Sequence, residues 1–148
     1  MILINKLPVQ ADHQSACQDF LELEWYEINT KQLKRNTVNG LEIRIQFEEK
    51  TILKDDQLLY KDMHRSVRVK IRPCLCVVLK STSFRTIGLF CYDVGNMHLP
   101  IFQIDVDRLA VSYDGRLFEA LRNKYEGVSL EEMKLVPEKA LKPFGNFT

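Results

Sequence analysis

The sequence predicts an α+β chain: an N-terminal all-β domain over residues 1–72, then a second domain over residues 73–148 whose elements run βαββαβ. Three observations carry that expectation. Apolar residues alternate strictly in several short runs, Asn39-Gly40 separates two such runs as a hairpin signal, and apolar spacing of about 3.6 residues occurs only in the second half.

In the first half, Leu21, Leu23 and Trp25 alternate with Glu22 and Glu24, the period of a half-buried strand. The clearest hairpin joins residues 34–38 to residues 41–47 through Asn39-Gly40, a pair that supplies the positive φ angles of a two-residue type I′ turn. A turn at Lys54-Asp55-Asp56-Gln57 precedes Leu58-Leu59-Tyr60, and Val67, Val69 and Ile71 then alternate with Arg68 and Lys70. The pattern changes at Pro73, where a basic strand end meets a proline and an apolar run begins, and the domain boundary is set there.

In the second half, Cys74 to Lys80 reads as a strand, and Ser81 and Thr82 offer N-cap hydroxyls for a helix bearing Phe84, Ile87, Phe90, Cys91 and Val94. Gly95-Asn96 is the expected helix stop. Residues 99–105 and 109–113 read as strands, Asp114 as the cap of a helix carrying Leu117, Phe118, Leu121 and Tyr125, and Met133, Leu135 and Val136 as a last short strand. This order suggests a ferredoxin-like domain with both helices on one face of an antiparallel sheet.

Composition narrows the function classes. At 148 residues, 45% hydrophobic and 28% charged, the chain is expected to fold. Lys and Arg number 21 against 20 Asp and Glu, so a formal net charge of +1 gives no general attraction for nucleic acid or anionic membranes. Residues 1–6 lack a basic segment followed by a sustained apolar one, and no apolar run approaches the ~20 residues that span a bilayer, so a cytoplasmic location is expected. Four cysteines without the density of a disulfide scaffold are expected to be reduced. Cys74 and Cys76 share one side of a strand and could in principle hold a soft metal; with no second cysteine pair, buried structural thiols are the plainer reading.

Three histidines exhaust the imidazoles. His13 lies among polar residues and His64 in a turn-like stretch, both solvated positions on the plainest reading; His98 follows a helix stop and precedes Leu99-Pro100, at a junction between elements. Cys91 and His98 are seven apart, a spacing that would make a nucleophile pair only on a continuous helix. Without a phosphate loop, nucleophile elbow or paired-histidine motif, the chain is not expected to be an enzyme.

The stretch Cys91-Tyr92-Asp93-Val94-Gly95-Asn96-Met97-His98-Leu99-Pro100 resembles the signature of the UreE family of urease accessory proteins, in which a tyrosine near a helix end leads into Gly-Asn-Arg-His. Further similarity runs through Leu21 to Trp25, Lys34-Arg35, Leu53 to Leu59 for a usual Leu-x-x-Gly-Asp-x-Leu, and Leu117 to Leu121, covering roughly residues 1–136. The resemblance implies a nickel metallochaperone with His98 as principal ligand, a homodimer through the second domain, and partners in the urease accessory GTPase and the apo-urease complex, met through the first domain. One imidazole cannot hold a divalent ion against competitors, so His98 from two subunits is expected to share one ion across a twofold axis. Asp93 and Asn96 are auxiliary candidates, and Zn²⁺ or Cu²⁺ are acceptable substitutes for Ni²⁺. Met97 stands where the family usually has Arg, and Asp93 where many members have His; the last residues lack a histidine-rich tail, so few ions are expected. The alternative is a metal-independent dimer module that binds proteins or peptides.

Overall fold

Alternating apolar residues make strands the commonest regular element among the described residues. The computed structural model describes residues 1–9 and 17–142, and His13 lies outside them. The chain divides into two compact units, Met1–Arg72 and Pro73–Thr148.

The first unit contains β1 (Ile2–Ile4), β2 (Cys17–Leu23), β3 (Asn29–Asn36), β4 (Glu42–Ile52), β5 (Leu58–Lys61) and β6 (Arg65–Ile71), arranged as two three-stranded sheets in the orders β1-β4-β3 and β2-β6-β5. Two of the pairings are parallel and distant in sequence: Ile2 to Ile4 lies against Ile43 to Ile45, and Cys17 to Leu23 against Arg65 to Ile71. The alternation predicted for β2 and β6 buries Leu21, Leu23, Val67, Val69 and Ile71. Each such side chain contributes about 1.5–3 kcal/mol by leaving water. Between β2 and β3 a single 3₁₀ turn, Trp25–Glu27, is closed by a reciprocal Glu24/Glu27 capping box, and Arg35 donates to the Glu27 carboxylate from both terminal guanidinium nitrogens, Nη1 and Nη2.

The β3–β4 connection departs from the predicted two-residue hairpin. Pairing stops at Asn36 and resumes at Glu42, leaving a five-residue loop in which Gly40 (φ +88°) adopts the left-handed conformation and Asn39 does not. The cause lies on β2. Asp19 is buried, and a buried carboxylate needs donors; the Thr37 hydroxyl and the Asn39 N–H (3.1 Å) supply them, while the Val38 N–H donates to the Phe20 carbonyl at 2.9 Å. The loop is drawn onto β2 and cannot close tightly. In the turn before β5, Asp56 carries φ 66°, the position at which the UreE pattern quoted above has Gly.

The second unit runs β7 (Cys74–Lys80), α1 (Phe84–Asn96), β8 (Phe102–Asp105), β9 (Arg108–Ser112), α2 (Gly115–Lys124) and β10 (Val128–Met133). Its antiparallel sheet has the order β10-β7-β9-β8. Val77, Leu79, Leu109 and Val111 from the sheet meet Phe90, Val94, Leu117 and Leu121 from the helices in one core. The cap of α1 is Ser83, whose hydroxyl accepts the Thr86 N–H at 3.3 Å, one residue beyond the hydroxyls expected from sequence. Asp114 caps α2 by accepting the N–H groups of Arg116 and Leu117. Gly127 (φ +80°) permits β10 to start beside the end of β7: a Cβ there would sit 2.4 Å from the Lys80 carbonyl oxygen.

The predicted class needs correction. Strand accounts for 47% of the described residues, in three sheets, against two α-helices of 13 and 10 residues. The chain is mostly β, so the α+β class and the ferredoxin-like description of its second domain do not hold. Helical spacing identified two amphipathic faces, yet the caps at Ser83 and Asp114, the chain reversal at His98 and the extended backbone at Tyr125 keep both helices short. The last strand is also displaced: β10 ends at Met133, whereas Leu135 is buried beyond it and Pro137–Lys139 forms a 3₁₀ turn.

Candidate functional site

The three residues singled out from the signature lie on the last turn of α1 and just past it. The helix runs through Gly95 and Asn96, so the stop expected there falls later. Met97 caps the helix, and His98 reverses the chain with φ 57°. The Met97 N–H donates to the Val94 carbonyl (3.1 Å) and the His98 N–H to the Gly95 carbonyl (3.0 Å), which satisfies two of the carbonyls a helix end leaves open. A non-glycine residue in the left-handed region is uncommon, and histidine is among those that tolerate it.

His98 is exposed and borders a cleft of about 600 Å³ whose other walls are Gly95, Leu99, Pro100, Ile101, Leu141 and Lys142. The outer wall is held by chain pairing: Ala140 bridges to Phe102, and the Leu141 N–H donates to the Ile101 carbonyl at 2.8 Å. Nothing in the periodicity of residues 137–142 singled out that segment, since a 3₁₀ turn and one bridge leave no repeating pattern. Exposed apolar side chains occur on α1 and beyond its end, with Tyr92 68%, Met97 54% and Leu141 44% exposed.

Of the two auxiliary candidates, Asn96 is exposed beside His98 at the helix end. Asp93 is engaged elsewhere: its carboxylate accepts from Lys124 Nζ at 2.7 Å and from the Tyr125 hydroxyl. Those two hydrogen bonds, Lys124 first, hold the Asp93 carboxyl below the ordinary aspartate value. A depressed carboxyl contributes stability at neutral pH and loses it as pH falls through the folded value. Acidification from about pH 5 to pH 2 should therefore lower the urea midpoint of the parent protein more than that of Asp93→Asn, which has no proton to take up there. Equal losses in the two would show the contact to be energetically silent. Tyr125, read from sequence as a member of the helix's apolar face, is the C-cap of α2, and with Lys124 it ties α1 to α2 through Asp93.

The remaining titratable candidates are disposed differently. Cys91 packs against the core, and burial pushes its thiol up. Cys76 is pushed up to about 12, chiefly by burial. A thiol held protonated is a poor nucleophile. His64 is exposed in the β5–β6 turn, where the Asp62 carboxylate accepts its backbone N–H at 2.7 Å. Among the described residues, no three His, Cys, Asp or Glu side chains gather as a metal cage, and no helix is long and apolar enough to cross a membrane.

Fold and site together define a β-rich protein of two units that presents a single imidazole at a helix end, on an apolar surface. The chain is similar to the urease accessory protein UreE of Acetivibrio thermocellus, with 38% identity over 103 residues, 70% of this chain and 67% of that protein. It is also similar to UreE of Flavobacterium johnsoniae, with 35% identity over 70% of this chain and 62% of the relative, and of Actinobacillus pleuropneumoniae, with 29% identity over 79% and 63%. The matches thus span about two thirds of those relatives' own lengths. No family model matches the chain. It belongs to the UreE family of urease accessory proteins.

Proposed function

We propose that this protein acts in the cytoplasm as a nickel-binding accessory factor in urease maturation, carrying Ni²⁺ on His98 and releasing it to the urease complex. The observation that supports this best is the left-handed His98 at the end of α1, exposed among apolar side chains. The C-terminal end of a helix bears partial negative charge, so a cation bound there is favoured before any ligand is counted. Imidazole is a borderline donor suited to Ni²⁺, Zn²⁺ and Cu²⁺ alike, and family membership favours nickel as the cargo.

A single imidazole leaves the ion under-coordinated. Two copies of this chain, related by a twofold axis through the His98 surface, would supply a second His98 and cover Met97 and Leu141 in the same contact. Asn96 and water would fill further positions. Asp93 would have to leave Lys124 and Tyr125 to join them, so its role is to position the end of α1 rather than to ligate. Open positions suit a carrier, because a closed shell releases metal slowly. The edge strands of the first unit are the proposed contact surface for the accessory GTPase and the apo-urease complex.

Calorimetric titration with Ni²⁺ at neutral pH, together with sedimentation of the same samples, tests the shared site. One ion per two chains, bound by a dimer, is expected. One ion per chain on a monomer would overturn the shared site, and a dimer that takes no Ni²⁺ would favour the metal-independent module.

A further inference from the structure

The sheet of the second unit has one closed edge and one open edge. Along β8, Ala140 bridges to Phe102 and the Leu141 N–H donates to the Ile101 carbonyl. At the other end of the sheet, β10 pairs with β7 alone among the described residues. The Lys80 N–H donates to the Gly127 carbonyl at 3.0 Å, and in an antiparallel pair the residues that exchange hydrogen bonds alternate along the strand. Counting from Gly127, residues Ser129, Glu131 and Met133 bond inward to β7, so Val128, Leu130 and Glu132 turn their N–H and C=O groups to the open side. No other backbone or side chain among the described residues takes up those groups.

Open edges are commonly blunted by a bulge, a proline or a lysine. The β8 edge carries a register shift against β9, whereas the six residues of β10 hold unbroken register with β7 and include neither proline nor lysine. The side chains of the outward-bonding residues share the side of the sheet on which Val77 lies. There Leu130 is exposed, and Glu132 begins a row that continues through the exposed Leu75 and Tyr113. Glu132 is exposed and has no ion pair among the described residues, while Glu131, on the opposite side, is held by Arg108.

Charge selects among occupants of this edge. A second copy laid antiparallel along β10 must keep like sides together, so the twofold axis of a full overlap passes through Leu130 or through Glu131. The first choice sets Glu132 opposite a valine and the second sets two Glu131 side chains against each other, an arrangement that is destabilising. Neither gives Glu132 a cation. A foreign strand with lysine or arginine opposite Glu132 and an apolar residue opposite Leu130 answers both side chains at once.

We propose that the open edge of β10 is a docking site, separate from His98, for an extended segment of a partner protein in which a basic residue is followed two positions later by an apolar one. The segment adds antiparallel, as every strand of this sheet does, and antiparallel pairing is the more stable per residue. The outward N–H and C=O groups of Val128, Leu130 and Glu132 hold its main chain, and the alternate side chains give selectivity.

Fluorescence anisotropy of the full-length chain with a labelled peptide, Thr-Lys-Thr-Val-Thr-Val-Thr, tests this. Binding to the parent is expected, at least tenfold weaker when glutamate replaces the peptide's lysine, with the preference reversed in Glu132→Lys. Hydrogen exchange followed by NMR reads the edge directly: saturating peptide should slow the amides of Val128, Leu130 and Glu132 at least tenfold. No binding at millimolar peptide, equal affinity of the parent for the two peptides, or unchanged exchange at those three amides would overturn the assignment. Leu130→Pro removes an N–H that faces outward and leaves the β7 ladder intact, so it should abolish peptide binding with little change in the urea midpoint. Self-association that survives His98→Ala and disappears in Leu130→Pro would give the edge to a second copy and also overturn the proposal. His98→Ala should bind the peptide as the parent does, so failure here leaves the nickel reading standing, and the reverse is also true.

Discussion

His98→Gly is expected to weaken Ni²⁺ binding at least a hundredfold, about 2.8 kcal/mol, while the urea midpoint stays level or rises. The two effects have separate origins. Removing both imidazoles of the proposed shared site would leave the ion with amide and water donors, which hold Ni²⁺ poorly. The backbone at this position has φ 57°, a conformation that costs an L-residue about 1–2 kcal/mol and glycine almost nothing. The greater freedom of glycine in the unfolded chain returns about 0.4–1 kcal/mol of that gain, so the net change in stability is small or favourable. His98→Val makes the opposite control: it also lacks the imidazole, and its branched side chain fits the left-handed region badly, so both affinity and midpoint should fall. Calorimetry with Ni²⁺ and urea titration of the same preparations give the two numbers. Undiminished affinity in His98→Gly would remove the residue from the metal site, and a marked drop in its midpoint would mean that the ring packs rather than binds.

Phe90→Ala should be the most damaging single truncation in the second unit, at about 3–5 kcal/mol. Phe90 is fully buried, and its ring meets the edge of Tyr125 with centroids 5.9 Å apart. Truncation leaves a cavity between α1 and the sheet that its rigid neighbours fill only in part. It also removes the surface that steadies Tyr125, whose hydroxyl donates to Asp93. Against a typical total of about 5–15 kcal/mol, the loss is large enough to shift the urea midpoint visibly, and Ni²⁺ affinity should fall with it because the end of α1 loses its anchor. Phe90→Leu, which fills most of the volume, should restore most of both. A change below about 1 kcal/mol in Phe90→Ala would mean that the core collapses around the site more readily than its packing implies.

The parts of this molecule that could be read from sequence are those whose signal is local. Alternation over residues 67–71 and 21–23 follows directly from the period of a strand with one buried side, and the structure buries Val67, Val69, Ile71, Leu21 and Leu23. Asp114 could be recognised as a cap because a carboxylate before an amphipathic stretch satisfies open N–H groups within three residues. Where a distant residue decides, the local reading failed. Asn39-Gly40 has the composition of a tight turn, but Asp19, twenty residues earlier, takes the Asn39 N–H and opens the loop. Gly95-Asn96 has the composition of a helix stop, but the reversal falls on His98, where the chain must turn to bring Leu99 and Ile101 against the core. The fold class failed for a related reason. Periodicity shows that helices exist but gives little weight to their share of the chain, and among the described residues ten strands outweigh two short helices.

Of the candidate site, the sequence singled out one residue at a junction between elements and little of what surrounds it. His98 stood out because it followed a glycine-asparagine pair and preceded a proline, whereas its surroundings are assembled from residues 40 or so positions later, at Ala140 and Leu141. The engagement of Asp93 by Lys124 and Tyr125 spans 31 and 32 residues and leaves no trace in spacing. The cysteine pair was visible as a strand-spaced couple, and the structure brings its sulfur atoms to 3.7 Å, with Cys76 buried and Cys74 half-buried.

The positive φ at position 98 also restricts what can replace its side chain over time. Few residues settle there: glycine freely, and asparagine, aspartate and histidine with modest reluctance. Glycine brings no donor, asparagine a weak amide oxygen, and aspartate a hard carboxylate better matched to magnesium or calcium. Among these, histidine alone unites tolerance of that bend with a borderline nitrogen, so the turn itself filters the side-chain chemistry available to drift before any selection for a ligand acts.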